Sequence, residues 1–241
     1  MKVIDAYWEK RNLGVNCTEI EVERDDPILI VSDILKCQNE YTVVKVPSSR
    51  SEVSLALQKE GFMFSELSIG LSKSLKNVPH LPTLYDRYEN DIEIVQPSDK
   101  DINYILDDVA SGRIFTTDRI ALDPAFSAKI SGTRYANWMK DLLRKDTTKI
   151  GLALYKNQKM AFGIVDNKDN KTNAVLGGLF SDRQKSTLGF LSVYTNTLLA
   201  YNSGSSFVFT HVSSNNPSIL KLHLLFGYSI NDLETVLIKH S

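Results

Sequence analysis

The sequence predicts an α/β (α+β) fold: a mixed central sheet in a C-terminal domain, preceded by a smaller lobe on a related plan. Three observations lead there. Short runs rich in β-branched residues alternate with segments whose apolar residues recur at helical spacing. A strand–turn–helix–glycine–aromatic unit occurs twice, and fifteen residues separate both Val46 from Gly61 and Val212 from Gly227. A polar, proline-bearing stretch divides the copies, which sets a lobe at residues 1–78, a linker at 79–90 and a larger domain at 91–241.

In chain order, strands are expected at Thr18–Val22 and Ile28–Val31, with a helix over Ser32–Gln38. The first unit is the strand Thr42–Val46, a turn at Pro47–Arg50, and the helix Ser51–Glu60 closed by Gly61–Phe62. Ser49 and Glu52 have capping-box spacing at its start. A strand over Met63–Leu71 leads into Lys73–Glu89, where Pro79, His80 and Pro82 mark a linker and His80 a solvated loop residue. Ile92–Val95 reads as a strand. Ile102, Ile105, Leu106 and Val109 give Asp101–Ser111 one apolar face, and Tyr135, Trp138, Met139 and Leu142 do the same for Phe126–Lys145. Strands follow at Ile150–Tyr155, Met160–Val165 and Asn173–Phe180, then a helix over Leu188–Tyr201 and a strand over Phe207–Val212. In the second unit Asn216 suits an N-cap, Pro217 the first helical position, and Gly227 the left-handed residue after the helix.

Composition excludes several classes. With 28 basic and 29 acidic side chains and a pI near 6.4, the chain has no electrostatic footprint for nucleic acid or an anionic membrane. No apolar run approaches bilayer length. The N-terminus, MKVIDAYWEKRN, carries charges where a signal peptide needs its apolar core. Cys17 and Cys37 lack metal-ligand spacing and imply no disulfide framework, so no metal is expected. A cytoplasmic location is the plain reading. The oligomeric state stays open, a homodimer included.

The second unit, in which Asn216 opens a helix that ends in Gly227–Tyr228, resembles the C-terminal half of GNAT-family N-acetyltransferases. The element order from Asp91 to Lys239 is similar to that family's. The resemblance implies a GNAT fold preceded by a degenerate GNAT-like lobe, with acetyl-CoA as donor. The family binds the donor's pyrophosphate where a Gln/Arg-x-x-Gly-x-Gly/Ala loop enters a helix, because unpaired N–H groups and the positive dipole end suit an anion. Here Arg183, Gln184, Lys185, Ser186, Thr187, Leu188 and Gly189 correspond: Gln184 and Gly189 match, and Thr187 stands where the family has its middle glycine. Asn216 is assigned to the donor site on the same basis. The two glycines of Val175–Phe180 mark a bulge or a close backbone approach. The resemblance places the Leu179 N–H as an oxyanion contact for the thioester carbonyl. Seven residues after Asn216, where the family usually has its tyrosine acid, stands His223. His211 either acts as a base through water or fills space.

Phe115–Ile120, Asp123–Pro124 and Thr133–Trp138 resemble the acceptor region of the dTDP-fucosamine acetyltransferase group. That likeness implies a nucleotide-linked amino-deoxysugar, acetylated for surface-polysaccharide synthesis. Tyr135 and Trp138 would wall the sugar and Arg134 would meet a phosphate. Asp118 and Asp123 are candidates for recognising the amine. Two other readings remain open: a non-catalytic module that binds CoA or a partner, and an acetyltransferase acting on protein amines.

Overall fold

The computed structural model describes residues 1–27 and 29–241. β1 (Lys2–Asp5), α1 (Tyr7–Leu13), β2 (Cys17–Glu21), α2 (Ile30–Lys36), β3 (Tyr41–Pro47), α3 (Ser51–Lys59) and β4 (Met63–Ser74) make the first part. A 3-10 segment over Thr83–Asp91 leads to β5 (Ile92–Val95), α4 (Asp99–Ala110), α5 (Arg119–Leu122) and α6 (Ala128–Leu142). Then come β6 (Thr148–Tyr155), β7 (Gln158–Lys168), β8 (Lys171–Leu179), α7 (Phe190–Asn202), β9 (Phe207–Ser213), α8 (Pro217–Leu225) and β10 (Ser229–His240).

Most elements form where the local signals put them. Asn216 caps α8 by accepting a hydrogen bond from the Ile219 N–H at 3.2 Å, and Pro217 occupies the first turn. Gly61 and Gly227 both adopt positive φ, +88° and +79°, where other L-residues are strained. Two expectations fail. Ile30 and Val31 belong to α2 rather than to a strand, and Ile28 lies outside the described residues. Burial of Ile30 and Ile34 against Val44, Val46 and Leu237 overrides their extended preference. The capping box at Ser49 does not form either. Helix α3 starts one residue later, Arg50 takes the cap position without a side-chain cap, and its Nε binds Glu52 at 2.5 Å.

All ten strands join one sheet in the order β1-β2-β3-β10-β4-β9-β8-β7-β6-β5. Among the described residues only β2/β3 and β8/β9 pair in parallel. The series β2-α2-β3-α3-β4 and β8-α7-β9-α8-β10 therefore follow one plan, each with a parallel pair bridged by a helix. Their last strands are exchanged: β4 pairs with β9, β10 pairs with β3, and β4 and β10 lie side by side. The stretches 1–78 and 91–241 thus share a continuous sheet. Between them, Leu81 is buried and Tyr85 stacks on Phe190 with ring centroids 4.0 Å apart. Helices α2, α3, α7 and α8 cover one face, while α1, α4 and α6 cover the other.

One difference separates the two parallel pairs. β2 and β3 stay in register over all five residues of β2, from Cys17–Tyr41 to Glu21–Lys45. β8 and β9 pair only at Lys171–Phe207, Thr172–Val208 and Asn173–Phe209, then diverge.

Candidate functional site

The divergence of β8 from β9 opens a cleft of about 1360 Å³ that continues across the sheet to α1 and α6. On one side runs β8. Phe180 N–H donates to Met160 O at 3.0 Å, and Leu179 lies opposite Ala161. The alternation of an antiparallel ladder then turns the Leu179 N–H and C=O away from β7, toward the edge that β9 has left. Gln184 Nε2 donates to that carbonyl at 2.8 Å, which folds the loop back onto the strand. The thirteen-residue α7 starts just beyond, with Gly189 as N-cap, no side-chain cap and no acidic residue in its first turn. The Leu191 N–H is taken by Leu188 O at 3.0 Å, which leaves those of Gly189 and Phe190 available to an anion.

Close packing of α7 explains the glycines. A Cβ on Gly163 or Gly177 would come within 2.3 Å of Asn196 Oδ1 or 2.9 Å of its Nδ2. Asn196 Nδ2 donates to Leu176 O at 3.1 Å, while its buried Oδ1 has no partner among the described residues.

The cleft gathers Leu179, Gln184, Ser186, Gly189, His211, Asn216, His223, Asp118, Arg134, Tyr135 and Trp138. Three loop candidates stand outside its wall: Lys185 and Thr187 face solvent, and the Leu188 side chain turns into the core. His223 is buried, its Nδ1 is 2.8 Å from Ile219 O, and its ring meets Tyr228 edge-on. A carbonyl only accepts, so Nδ1 carries the proton and Nε2 of the neutral ring holds a lone pair. Burial lowers the pKa of His223, opposed by the bond to Ile219, so the neutral form dominates at pH 7.

At the acceptor end the structure corrects two expectations. Arg134 cannot serve a phosphate as read from sequence, because its Nε and Nη2 grip Glu9, which is fully buried on α1. Asp118 is a structural cap: Oδ1 accepts from the Ile120 and Ala121 N–H groups, and Oδ2 accepts from Ser131 Oγ at 2.6 Å. Asp123 is buried outside the cleft, paired with His240 at 2.8 Å. Tyr135 packs against Phe115 with ring centroids 4.4 Å apart and planes tilted by 38°, and neighbours half-exposed Trp138 at 6.2 Å. Facing them are Tyr7 and Trp8 of α1, and the sheet adds Glu19, Glu21, Lys45, Glu66, Ser68 and Glu234. The N-terminal strands β2, β3 and β4 thus line the end of the cleft nearest α1 and α6. Sequence reading missed these residues; the available signals were charged residues inside strand patterns, Glu19 and Glu21 in Thr18–Val22, Lys45 in Thr42–Val46 and Glu66 in Met63–Leu71.

No family model matches the sequence, and no curated protein matches it. Solved structures do. A GCN5-related N-acetyltransferase from Sphaerobacter thermophilus superposes with a TM-score of 0.63 at 10% identity, over 99% of this chain and 75% of that one. A conserved protein of unknown function from Staphylococcus epidermidis gives 0.60 at 12% identity, over 97% and 88%. A tandem GNAT protein from the clavulanic acid biosynthesis pathway gives 0.53 at 12% identity, over 93% and 75%. With its parted parallel strands and its duplicated plan, the chain has the GNAT fold.

Proposed function

We propose that the chain is an acetyl-CoA-dependent N-acetyltransferase for a small amine. The observation that carries this reading is the parting of β8 and β9 beside the uncapped start of α7. The loop Gln184–Gly189 and the first turn of α7 would hold the diphosphate, with Ser186 and Gly189 on the cleft wall and Arg183 and Lys185 adding positive charge nearby. The freed edge of β8 would pair with the pantetheine arm, and the Leu179 N–H would polarise the thioester carbonyl. Asn216 acts through its cap, which fixes the start of α8. In the tautomer that the Ile219 carbonyl favours, His223 accepts rather than donates at Nε2, so the leaving thiolate takes its proton from the attacking amine or solvent. Two features keep the non-catalytic reading as the runner-up: Thr187 in place of a glycine, and a histidine that cannot act as the acid.

A nucleotide-linked amino-deoxysugar is the narrower acceptor reading. The aromatic faces of Tyr135, Trp138, Tyr7 and Trp8 support it, since sugar rings stack on such surfaces. A protein amine is the other acceptor reading, and a cleft of about 1360 Å³ leaves room for a side chain.

Titration calorimetry with acetyl-CoA tests the proposal, and absence of binding at millimolar ligand removes it. Gly189→Asp adds a carboxylate where the diphosphate would lie. A Cβ there meets only Leu222 Cδ1 at 3.7 Å, so folding is expected to survive. The expected result is a loss of affinity of about tenfold or more with an unchanged melting temperature. Unchanged affinity would mean the anion binds elsewhere.

A further inference from the structure

We propose that Glu66 is the catalytic carboxylate that receives the acceptor's ammonium group and takes its proton, so that the acceptor enters as a cationic primary amine. This rests on the transferase reading above. Directly paired residues share a face of a sheet, so the register Glu21–Lys45, Lys45–Val236 and Val236–Glu66 sets those four side chains in one row. The next row holds Glu234, Ser68 and Ser213. Both rows line the cleft.

Glu66 belongs to the N-terminal series, yet it is anchored to the donor half. Leu67 N–H donates to Ser214 Oγ at 2.9 Å, Ser214 N–H donates back to Leu67 O at 2.9 Å, and Asn215 Nδ2 donates to Ser65 O at 3.3 Å. Ser214 and Asn215 directly precede Asn216, the cap of α8. The residues flanking Glu66 are therefore clamped to the loop that aims the helix of His223.

Its charge has no partner. Among the described residues lining this end, each cation is engaged: Lys45 and Arg119 with Glu19 at 3.5 and 2.8 Å, Arg134 with Glu9, and Arg11 with Asp141 at 2.7 Å. Glu66 has no ion pair, and its Oε2 is closed off from water without a hydrogen-bond partner. A shielded carboxylate oxygen left unpaired is costly, and a ligand N–H would relieve the cost. An acceptor phosphate would have to lie away from this row, since Lys45, Arg119, Arg134 and Arg11 are already paired with carboxylates.

The step balances. The ammonium gives one proton to Glu66 and the freed nitrogen lone pair attacks the thioester carbonyl, forming the N–C bond. As the tetrahedral adduct collapses, the C–S bond breaks and its electron pair leaves on sulfur. The second N–H proton neutralises the thiolate, and Glu66 later returns its proton to solvent. Burial raises the Glu66 carboxyl above its ordinary value, against the opposing effects of Ser213, Arg119 and Lys45 and with a contribution from Asp118. A carboxylate so placed is a better base than a solvated one.

The test uses the full chain, its isosteric variant Glu66→Gln and the shortened Glu66→Asp. Acetyl-CoA affinity is read by calorimetry, and transfer to glucosamine, spermidine and a lysine-containing peptide is read by thiol release from pH 5 to 9. We expect Glu66→Gln to bind acetyl-CoA within about twofold of wild type, to lose roughly 100-fold or more in kcat/KM, and to lose the acid-side fall in rate. Glu66→Asp should recover part of that rate. The groups facing Glu66 that also titrate or carry charge are Glu21, Lys45, Glu234, Arg119, Asp118 and Tyr135, and all are intact in these variants. Glu66→Gln activity within threefold of wild type overturns the proposal. So does an equal fall in acetyl-CoA affinity, or wild-type transfer to none of the three amines while acetyl-CoA binds. Failure of wild type to bind acetyl-CoA overturns the transferase reading itself.

Discussion

Leu179→Pro is expected to lower kcat by about 10²- to 10³-fold while acetyl-CoA affinity changes little, the size of effect seen when one oxyanion donor is removed. Proline deletes one backbone N–H and leaves the carbonyl that Gln184 holds. The site can accept it for two reasons. Leu179 lies opposite Ala161 with its N–H directed away from β7, so no ladder bond to that strand is lost. The residue before it is Gly178, which has no Cβ to clash with the proline ring. Single-turnover kinetics with a competent amine, beside a melting curve and a calorimetric titration, isolate the step. Full turnover by a folded Leu179→Pro protein would place the polarising donor at another amide of β8.

Arg134→Met is expected to cost about 3–5 kcal/mol of stability, because it strands the fully buried Glu9 without its cation. For a chain of this length that corresponds to a drop in melting temperature of roughly 10 °C. Adding Glu9→Leu should restore much of the loss, since a packed apolar pair commonly replaces a buried ion pair without penalty. The pair belongs to a polar seam between α1 and α6 with Arg11–Asp141 at 2.7 Å and Asn137 Nδ2 donating to Asn12 Oδ1 at 2.9 Å. The single variant should therefore also loosen the Tyr7–Trp8 wall, read as faster amide exchange over α1. A melting temperature within a degree or two of wild type would show that Glu9 finds water or another partner.

What could be read without coordinates was local. The strand–turn–helix units, the Asn216 cap with Pro217, and the left-handed Gly61 and Gly227 depend on residues within one turn of each other, and they appear as expected. The close approach of Asn196 to Gly177 was half legible, since glycines in an apolar strand announce a close approach without saying what approaches. What stayed hidden was long-range. Glu9 stands in a charged N-terminal stretch that carries no local sign of its burial, and its partner lies 125 residues away. Arg134 was accordingly assigned to a ligand that it cannot reach. Asp118 carried a cap signal, an aspartate directly before Arg-Ile-Ala-Leu, that reads equally well as a loop carboxylate. No local pattern distinguishes β2/β3, which remain joined, from β8/β9, which separate, because pairing is decided by what packs on either face.

The interlocked placement of β4 and β10 also sets a schedule for synthesis. Until Ser229–His240 has left the ribosome, both β3 and β4 lack their shared neighbour and present bare edges. Strands β1–β4 must therefore wait for β10, which follows them late in the chain, before their own sheet is complete. Such long-range closure is slow, and a fragment ending at residue 228 should be captured by chaperones or aggregate rather than persist as an independent unit.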